Sequence, residues 1–304
     1  MERFMDLNVK IGKTVFKNPI LTASGTFGYG SEFEEYLDLN SIGGFCTKGI
    51  SLEPRSGNPA PRIVETASGM LNSIGLENCG SKSFLEDVMP KIKDLDTGII
   101  VNFYAYEEDD FIRLAEILST NDRIDALEMN LSCPNVKKGG SAFGANPDLI
   151  ERLTRSVKAV TDKTLIVKLS PNVTDIKVTA QAAQSGGADS VSLINTLIGT
   201  AIDRDTRKFI LGNKIGGLSG PAIKPVALKM VWETAKAIDI PVIGIGGISS
   251  IEDVLDFLIV GARAVQIGAW NFINPSIAQE CVEGLEKYLT DRNETLEELI
   301  GSIK

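Results

Sequence analysis

PVIGIGGISSIEDVLDFLIVGARAVQIGAW, residues 241–270, carries one full unit of an alternating architecture. Residues 241–245 are a short apolar run bounded by proline and glycine, and residues 251–260 repeat apolar side chains at helical spacing. Residues 264–267 return to an apolar run that stops at Gly268. Strand, helix and strand in this order read as a βαβ unit. Outward from it the pattern recurs along the whole chain, with further strand-like runs at 20–23, 45–47, 98–103, 126–131, 165–169 and 190–194. Helical periodicity occupies 110–118, 147–160, 175–185, 223–238 and 275–289. Near-continuous apolar strands such as LIVKL at 165–169 suit a parallel sheet covered on both faces. Eight such units in 304 residues predict an α/β fold, a (β/α)₈ TIM barrel, with an open doubly wound sheet as the alternative. Three connections exceed ordinary loop length, at 49–82, 133–146 and 196–221. All follow a strand, so a barrel would raise them as extended loops at its C-terminal face, where such folds carry their active sites. No linker or composition shift divides the chain, and a single domain over 1–304 is expected.

Composition narrows the chemistry. Lys and Arg total 31 against 40 Asp and Glu, a net charge of −9, which disfavours nucleic acid and anionic membrane as partners. The chain has no histidine, so no Ser-His-Asp triad, Cys-His pair or His-ligated metal can form, and proton chemistry falls to Cys, Lys, Asp, Glu or Tyr. Cys46, Cys79, Cys133 and Cys281 lie too far apart for a zinc knuckle or an iron-sulfur cluster, and no metal site is expected. Neither a signal-peptide core nor a membrane-spanning stretch is visible, and a reducing cytoplasm is the expected location.

The expected strand ends carry Ser24, Lys48, Asn102, Asn130, Lys168, Asn195 with Thr196, Gly246 with Gly247, and Gly268. Turn formation accounts for Ser, Asn and Gly at such places, but not for lysines after apolar strands. An ammonium there needs an anionic partner, so Lys48 and Lys168 point to an anionic ligand rather than to surface lysines that snorkel. Glycines at the ends of the last two strands predict a phosphate site, since they let backbone N–H groups approach an anion beside a helix N-terminus. Glycine spacing does not fit a dinucleotide fingerprint. Cys46 and Cys281 read as inert core thiols. Cys133, in NLSCPNVKKGGSAFG at 130–144, stands in a glycine-bearing loop at the expected active face, a candidate base or nucleophile whose thiol starts at a pKa of about 8.5.

Together with NPILTASGTFGYG, TKGISLEPRSGNPAPRIVE, GMLNSIGLENCG, VKLSPN, INT, GGLSGPAIKPVALKMV and AVQIGAWNFINP, these segments resemble the class 1 dihydroorotate dehydrogenases from end to end. SCPNVKKGG followed by AFG resembles the type 1B, NAD-linked catalytic subunit more than the fumarate-using type 1A. The class 2 enzymes resemble it less, since they carry Ser where this chain has Cys133. The resemblance implies FMN contacted by Ser24, Lys48, Gly49, Asn102, Asn130, Lys168, Ile194, Gly220, Gly246, Gly247, Gly268 and Ala269. It implies dihydroorotate held by Lys48, Asn72, Ser73, Ile74, Gly75, Leu76, Asn130, Asn195 and Thr196. Asparagines suit the ring amides of such a substrate and a lysine its carboxylate. Cys133 would remove the C5 proton while hydride leaves C6 for the flavin, and Lys168 would stabilise the negative charge of the reduced flavin. The same resemblance implies a homodimer of this chain with two electron-transfer subunits carrying FAD and [2Fe-2S], a heterotetramer that passes electrons to NAD and serves pyrimidine synthesis.

Two departures stand out. Ala269 replaces a usual threonine and so lacks a hydroxyl for the phosphate, and FYAY after Asn102 is bulkier than in many relatives, which leaves the role of Asn102 open. Competing readings are a non-flavin phosphate-binding barrel isomerase or synthase, and a non-catalytic barrel. A dihydrouridine synthase is disfavoured by the acidic balance.

Overall fold

The computed structural model describes residues 6–131 and 143–304. Eight strands close into one barrel: β1 (Ile20–Thr22), β2 (Gly44–Cys46), β3 (Gly98–Phe103), β4 (Ala126–Asn130), β5 (Thr164–Lys168), β6 (Ser190–Leu193), β7 (Val242–Ile245) and β8 (Ala264–Ile267). Each pairs in parallel with its sequence neighbours, and β8 pairs with β1 to complete the circle. That closure decides against the open doubly wound sheet, and each strand lies within a residue of its expected place. The strands are buried along nearly their whole length, which is why they read as continuous apolar runs rather than as an alternation.

Outside the barrel run α1 (Glu108–Ser119), α2 (Pro147–Lys158), α3 (Ile176–Ser185), α4 (Lys224–Ala235), α5 (Ile251–Ile259) and α6 (Ile277–Arg292). Local chemistry sets their starts. The Asn146 side chain accepts from Leu149 N ahead of Pro147, and Asp175 accepts from Lys177 N, so one orphan N–H at each helix start is satisfied. In α2 the residues Ile150, Leu153, Thr154 and Val157 face inward at helical spacing. Between β1 and β2 there is no full helix, only the turns Ser31–Phe33 and Leu39–Ser41, in keeping with the lack of helical periodicity there.

At the N-terminal end of the barrel a hairpin, Val9–Ile11 with Thr14–Phe16, buries Val9, Ile11 and Phe16 under the strand starts. Thr14 Oγ1 donates to Asp125 O and lies 2.8 Å from Thr164 Oγ1, which pins the hairpin to the floor. At the opposite end two of the long connections meet. Ile63–Thr66 and Gly69–Asn72 from one, and Ile215–Ser219 and Leu197–Thr200 from the other, form a four-stranded antiparallel sheet over the mouth. The central pairing brings Gly69 against Ser219, where a Cβ on Gly69 would stand 2.0 Å from Ser219 O, so only glycine permits this approach. The third long connection, and Cys133 with it, lies mostly outside the described residues.

Candidate active site

One cavity of about 630 Å³ opens at the C-terminal ends of the strands, beneath the antiparallel sheet. Its walls hold Ser24, Lys48, Gly49, Asn102, Asn130, Lys168, Ile194, Asn195 and Thr196 from the strand ends. The covering segments add Asn72, Ser73, Ile74, Gly75, Leu76 and Gly220, and the ends of β7 and β8 add Gly246, Gly247, Gly268 and Ala269. Every site residue expected from the sequence and lying in the described part is therefore on this one surface. Cys133 lies outside the described residues.

At the end formed by β7 and β8, the backbone N–H groups of Gly246, Gly247, Gly268 and Ala269 donate to no acceptor among the described residues. Four free donors on one cavity wall make an anion cradle, and α5 begins just beyond them. Gly247 has φ +74°, and a Cβ there would meet the Lys224 backbone at 2.7 Å, so the turn requires glycine. The nearby Lys224 is not part of the cradle, because Asp253 and Asp256 hold its ammonium. Ala269 offers its N–H alone, as the missing hydroxyl implied.

Elsewhere on the cavity wall the amides converge. Asn195 Nδ2 donates to Asn130 Oδ1 at 3.4 Å and Asn195 Oδ1 accepts from Thr196 N at 2.7 Å, while Asn72 Nδ2 donates to Gly217 O at 3.3 Å. Lys48 Nζ makes no hydrogen bond or ion pair among the described residues. An uncompensated ammonium in a half-buried wall is complementary to an anion.

Lys168 requires a correction. The expectation treated it, like Lys48, as a buried cation in want of an anionic ligand, but its Nζ is 3.4 Å from Oε1 of Glu128, a fully buried carboxylate in β4. Of the two strand-end lysines, Lys48 is therefore the one whose ammonium has no partner among the described residues and points to an anionic ligand. Glu128 was missed in the sequence, although the one acidic residue inside the apolar run ALEMN was the signal. Its Oε1 also accepts from Asn102 Nδ2 at 2.7 Å and from Cys46 Sγ at 3.3 Å; its Oε2 accepts from Ser192 Oγ and from Gln266 Nε2, both at 2.9 Å. Five strands thus send a donor to one carboxylate below the cavity floor. Full burial pushes the Glu128 carboxyl up, but the Lys168 charge and the bonds from Gln266, Asn102 and Ser192 outweigh it and hold the group below its ordinary value. Burial and the Glu128 charge push the Cys46 thiol up, as burial does for Cys281, to about 12, so both are inert core thiols.

The bulky FYAY segment leaves Asn102 in the cavity wall. Phe103 packs against Phe111 of α1, and Tyr104 is fully buried with its hydroxyl 2.9 Å from Leu76 O and 3.1 Å from Ser51 Oγ, accepting from Asn78 Nδ2 at 2.9 Å. Tyr104 thereby braces the segment that carries Ile74, Gly75 and Leu76, a role the sequence did not suggest.

A closed parallel barrel whose C-terminal mouth carries amides and, among the described residues, an ammonium and backbone donors without partners defines a barrel enzyme for an anionic, amide-bearing ligand. The profile of the family described as dihydroorotate dehydrogenase matches residues 6–289. A Thermoanaerobacter sp. (strain X514) protein described as dihydroorotate dehydrogenase B (NAD(+)), catalytic subunit, is 53% identical over 301 residues, covering 99% of both chains. Proteins of the same description from Trichlorobacter lovleyi and Bacteroides fragilis are 52% and 50% identical; the alignments cover 98% of this chain in each case, and 98% and 99% of theirs. The chain belongs to the dihydroorotate dehydrogenase family.

Proposed function

We propose that this chain is the catalytic subunit of a type B dihydroorotate dehydrogenase. It oxidises (S)-dihydroorotate to orotate in pyrimidine synthesis, within one FMN-binding barrel domain over 1–304. The observation that carries this reading is the convergence on one cavity of Asn72, Asn130, Asn195 and Lys48, whose ammonium has no partner among the described residues. A dihydropyrimidine carboxylate needs amide partners that both donate and accept, with a cation for its carboxylate.

The residues present also fit FMN. Asn102 Oδ1 is a buried acceptor with no partner among the described residues, set against Gly49 in the cavity wall, and a ring N–H would satisfy it. The free N–H groups of Gly246, Gly247, Gly268 and Ala269 suit a phosphate. Ser24, Asn130, Ile194 and Gly220 complete the cofactor contacts. FMN, when bound, supplies the two-electron acceptor that no side chain of this chain can replace. Lys168, ion-paired with Glu128 in the cavity wall, would offer its cation to the negative charge of the reduced cofactor.

On the substrate side, Lys48 takes the carboxylate, and Asn72, Asn130, Asn195 and Thr196 fix the ring through its amides. Ser73, Ile74, Gly75 and Leu76 close over it and exclude water. Cys133 accepts the C5 proton, in a chain where histidine is absent.

The relatives' description as an NAD-linked catalytic subunit supports a second component. The proposed assembly is a homodimer of this chain with two electron-transfer subunits that carry FAD and [2Fe-2S], in the cytoplasm. No described helix is long and apolar enough to cross a membrane, and the described residues hold no metal-ligating cluster. The test is anaerobic titration of the purified chain with dihydroorotate. The flavin band bleaches, while NAD⁺ is reduced only after an electron-transfer subunit is added. Rapid fumarate-dependent turnover by the isolated chain would overturn the type B assignment in favour of type A.

A further inference from the structure

We propose that Glu128 sets the electron-accepting strength of the bound flavin through Lys168, as a buried counter-charge that offsets part of the pull of this lysine. The inference rests on the FMN reading above.

Glu128 is fully buried and does not line the cavity, whereas Lys168 and Asn102, both bonded to its Oε1, do. It sits one layer beneath the ligand and acts through those two side chains. Burying a carboxylate is costly, and a neutral acceptor could take hydrogen bonds from the neutral donors around it. What a neutral side chain cannot supply is charge.

The charge count gives the direction. With Glu128 ionised, Lys168 protonated and the reduced flavin carrying one negative charge, the group sums to −1. Replacing Glu128 by glutamine brings the sum to zero and favours the reduced flavin. Replacing Lys168 by methionine brings it to −2 and disfavours it. Removing both charges restores −1. Glu128 also orients Asn102. A carboxylate only accepts, so Asn102 must turn Nδ2 toward it, which leaves Oδ1 as the partnerless acceptor in the cavity wall.

The test is the midpoint potential of FMN in the holoenzyme, measured anaerobically for the wild type, Glu128→Gln, Lys168→Met and the double variant Glu128→Met/Lys168→Met. Glu128→Gln should raise the preference for reduced over oxidised FMN about tenfold, an upward shift of about 30 mV for a two-electron couple. Lys168→Met should fall below the wild type, and the double variant should lie above Lys168→Met. The double variant leaves neither charge of the pair buried alone, which is the costly half of breaking such a pair, so it decides the matter even where Glu128→Gln does not fold. A Glu128→Gln enzyme with FMN bound and a potential at or below that of the wild type overturns the proposal. So does a double variant with the potential of Lys168→Met. A wild-type chain that holds no flavin overturns the FMN reading itself, and this one with it, before any variant is compared.

Discussion

Tyr104→Phe removes one oxygen atom and keeps the buried ring, which makes it a clean probe of how the cavity cover is held. The hydroxyl joins β3 to the covering segment through Leu76 O, Ser51 Oγ and Asn78 Nδ2, all within 3.1 Å. A phenol has one proton, so it donates to Leu76 O or to Ser51 Oγ at a time and accepts from Asn78; the variant loses two hydrogen bonds. At roughly 0.5–1.5 kcal/mol each, the loss is about 1–3 kcal/mol. Asn78 Nδ2 keeps Ser51 Oγ and Leu76 O as acceptors, both at 2.9 Å, which favours the lower half of that range, about 1–2 kcal/mol. Leu76 has φ +59°, a conformation a leucine keeps only when its surroundings hold it, so the loss falls on the segment proposed to cover the substrate. If the segment must be re-ordered on binding, KM for dihydroorotate rises about 5- to 30-fold. The rate of flavin reduction at saturating substrate should change little, because no reacting group has moved. Steady-state KM, orotate affinity from the flavin difference spectrum and single-turnover reduction separate these effects. A KM within twofold of the wild type, or a fall in reduction rate at unchanged KM, would refute the brace.

Cys133→Ala should retain FMN yet lose flavin reduction by about 10²-fold or more, the usual weight of general-base catalysis, in stopped-flow mixing with dihydroorotate; near-normal reduction removes Cys133 from the mechanism. Cys46 and Cys281, with thiols pushed up by burial, should stay unlabelled by iodoacetamide at pH 8 in the native protein and react only after denaturation, as peptide mass analysis would show. Because the Glu128 carboxyl is lowered on folding, its ionisation adds stability above the ordinary glutamate pKa of about 4.3 and loses it as pH falls through the lower folded value. Urea midpoints of Glu128→Gln and wild type should therefore converge on acidification below that point, and a constant gap from pH 7 to pH 3 would argue against it.

How much could be read in advance differs between frame and site. The alternation around residues 241–270 was visible because each parallel strand is buried on both faces and each helix on one, so local sequence carries the period of its own environment. The helical stretch from Gly80 to Ile92 was not visible, since a π turn at Phe84–Val88 breaks its spacing. Nor was the sheet over the mouth, whose strands come from connections more than a hundred residues apart and pair through glycines that look like ordinary turn residues. Lys48 and the asparagines could be singled out because polar side chains after apolar strands are conspicuous in one dimension.

Which of those side chains already has a partner is a three-dimensional fact. Lys168 and Lys48 look alike in sequence, yet 40 residues separate Lys168 from the carboxylate that neutralises it, and only the parallel pairing of β4 with β5 sets them 3.4 Å apart. Asn102, Ser192 and Gln266 likewise become one network because β3, β6 and β8 each turn that side chain toward Glu128 of β4 inside the closed barrel. Sequence by itself determined the order of strands and helices, the residues at the strand ends and the absence of histidine chemistry, since these depend on local pattern and composition. Tertiary structure alone decided which charges are spent inside the protein and which remain for a ligand, because ionic and hydrogen-bond partnerships depend on distance in space and not along the chain.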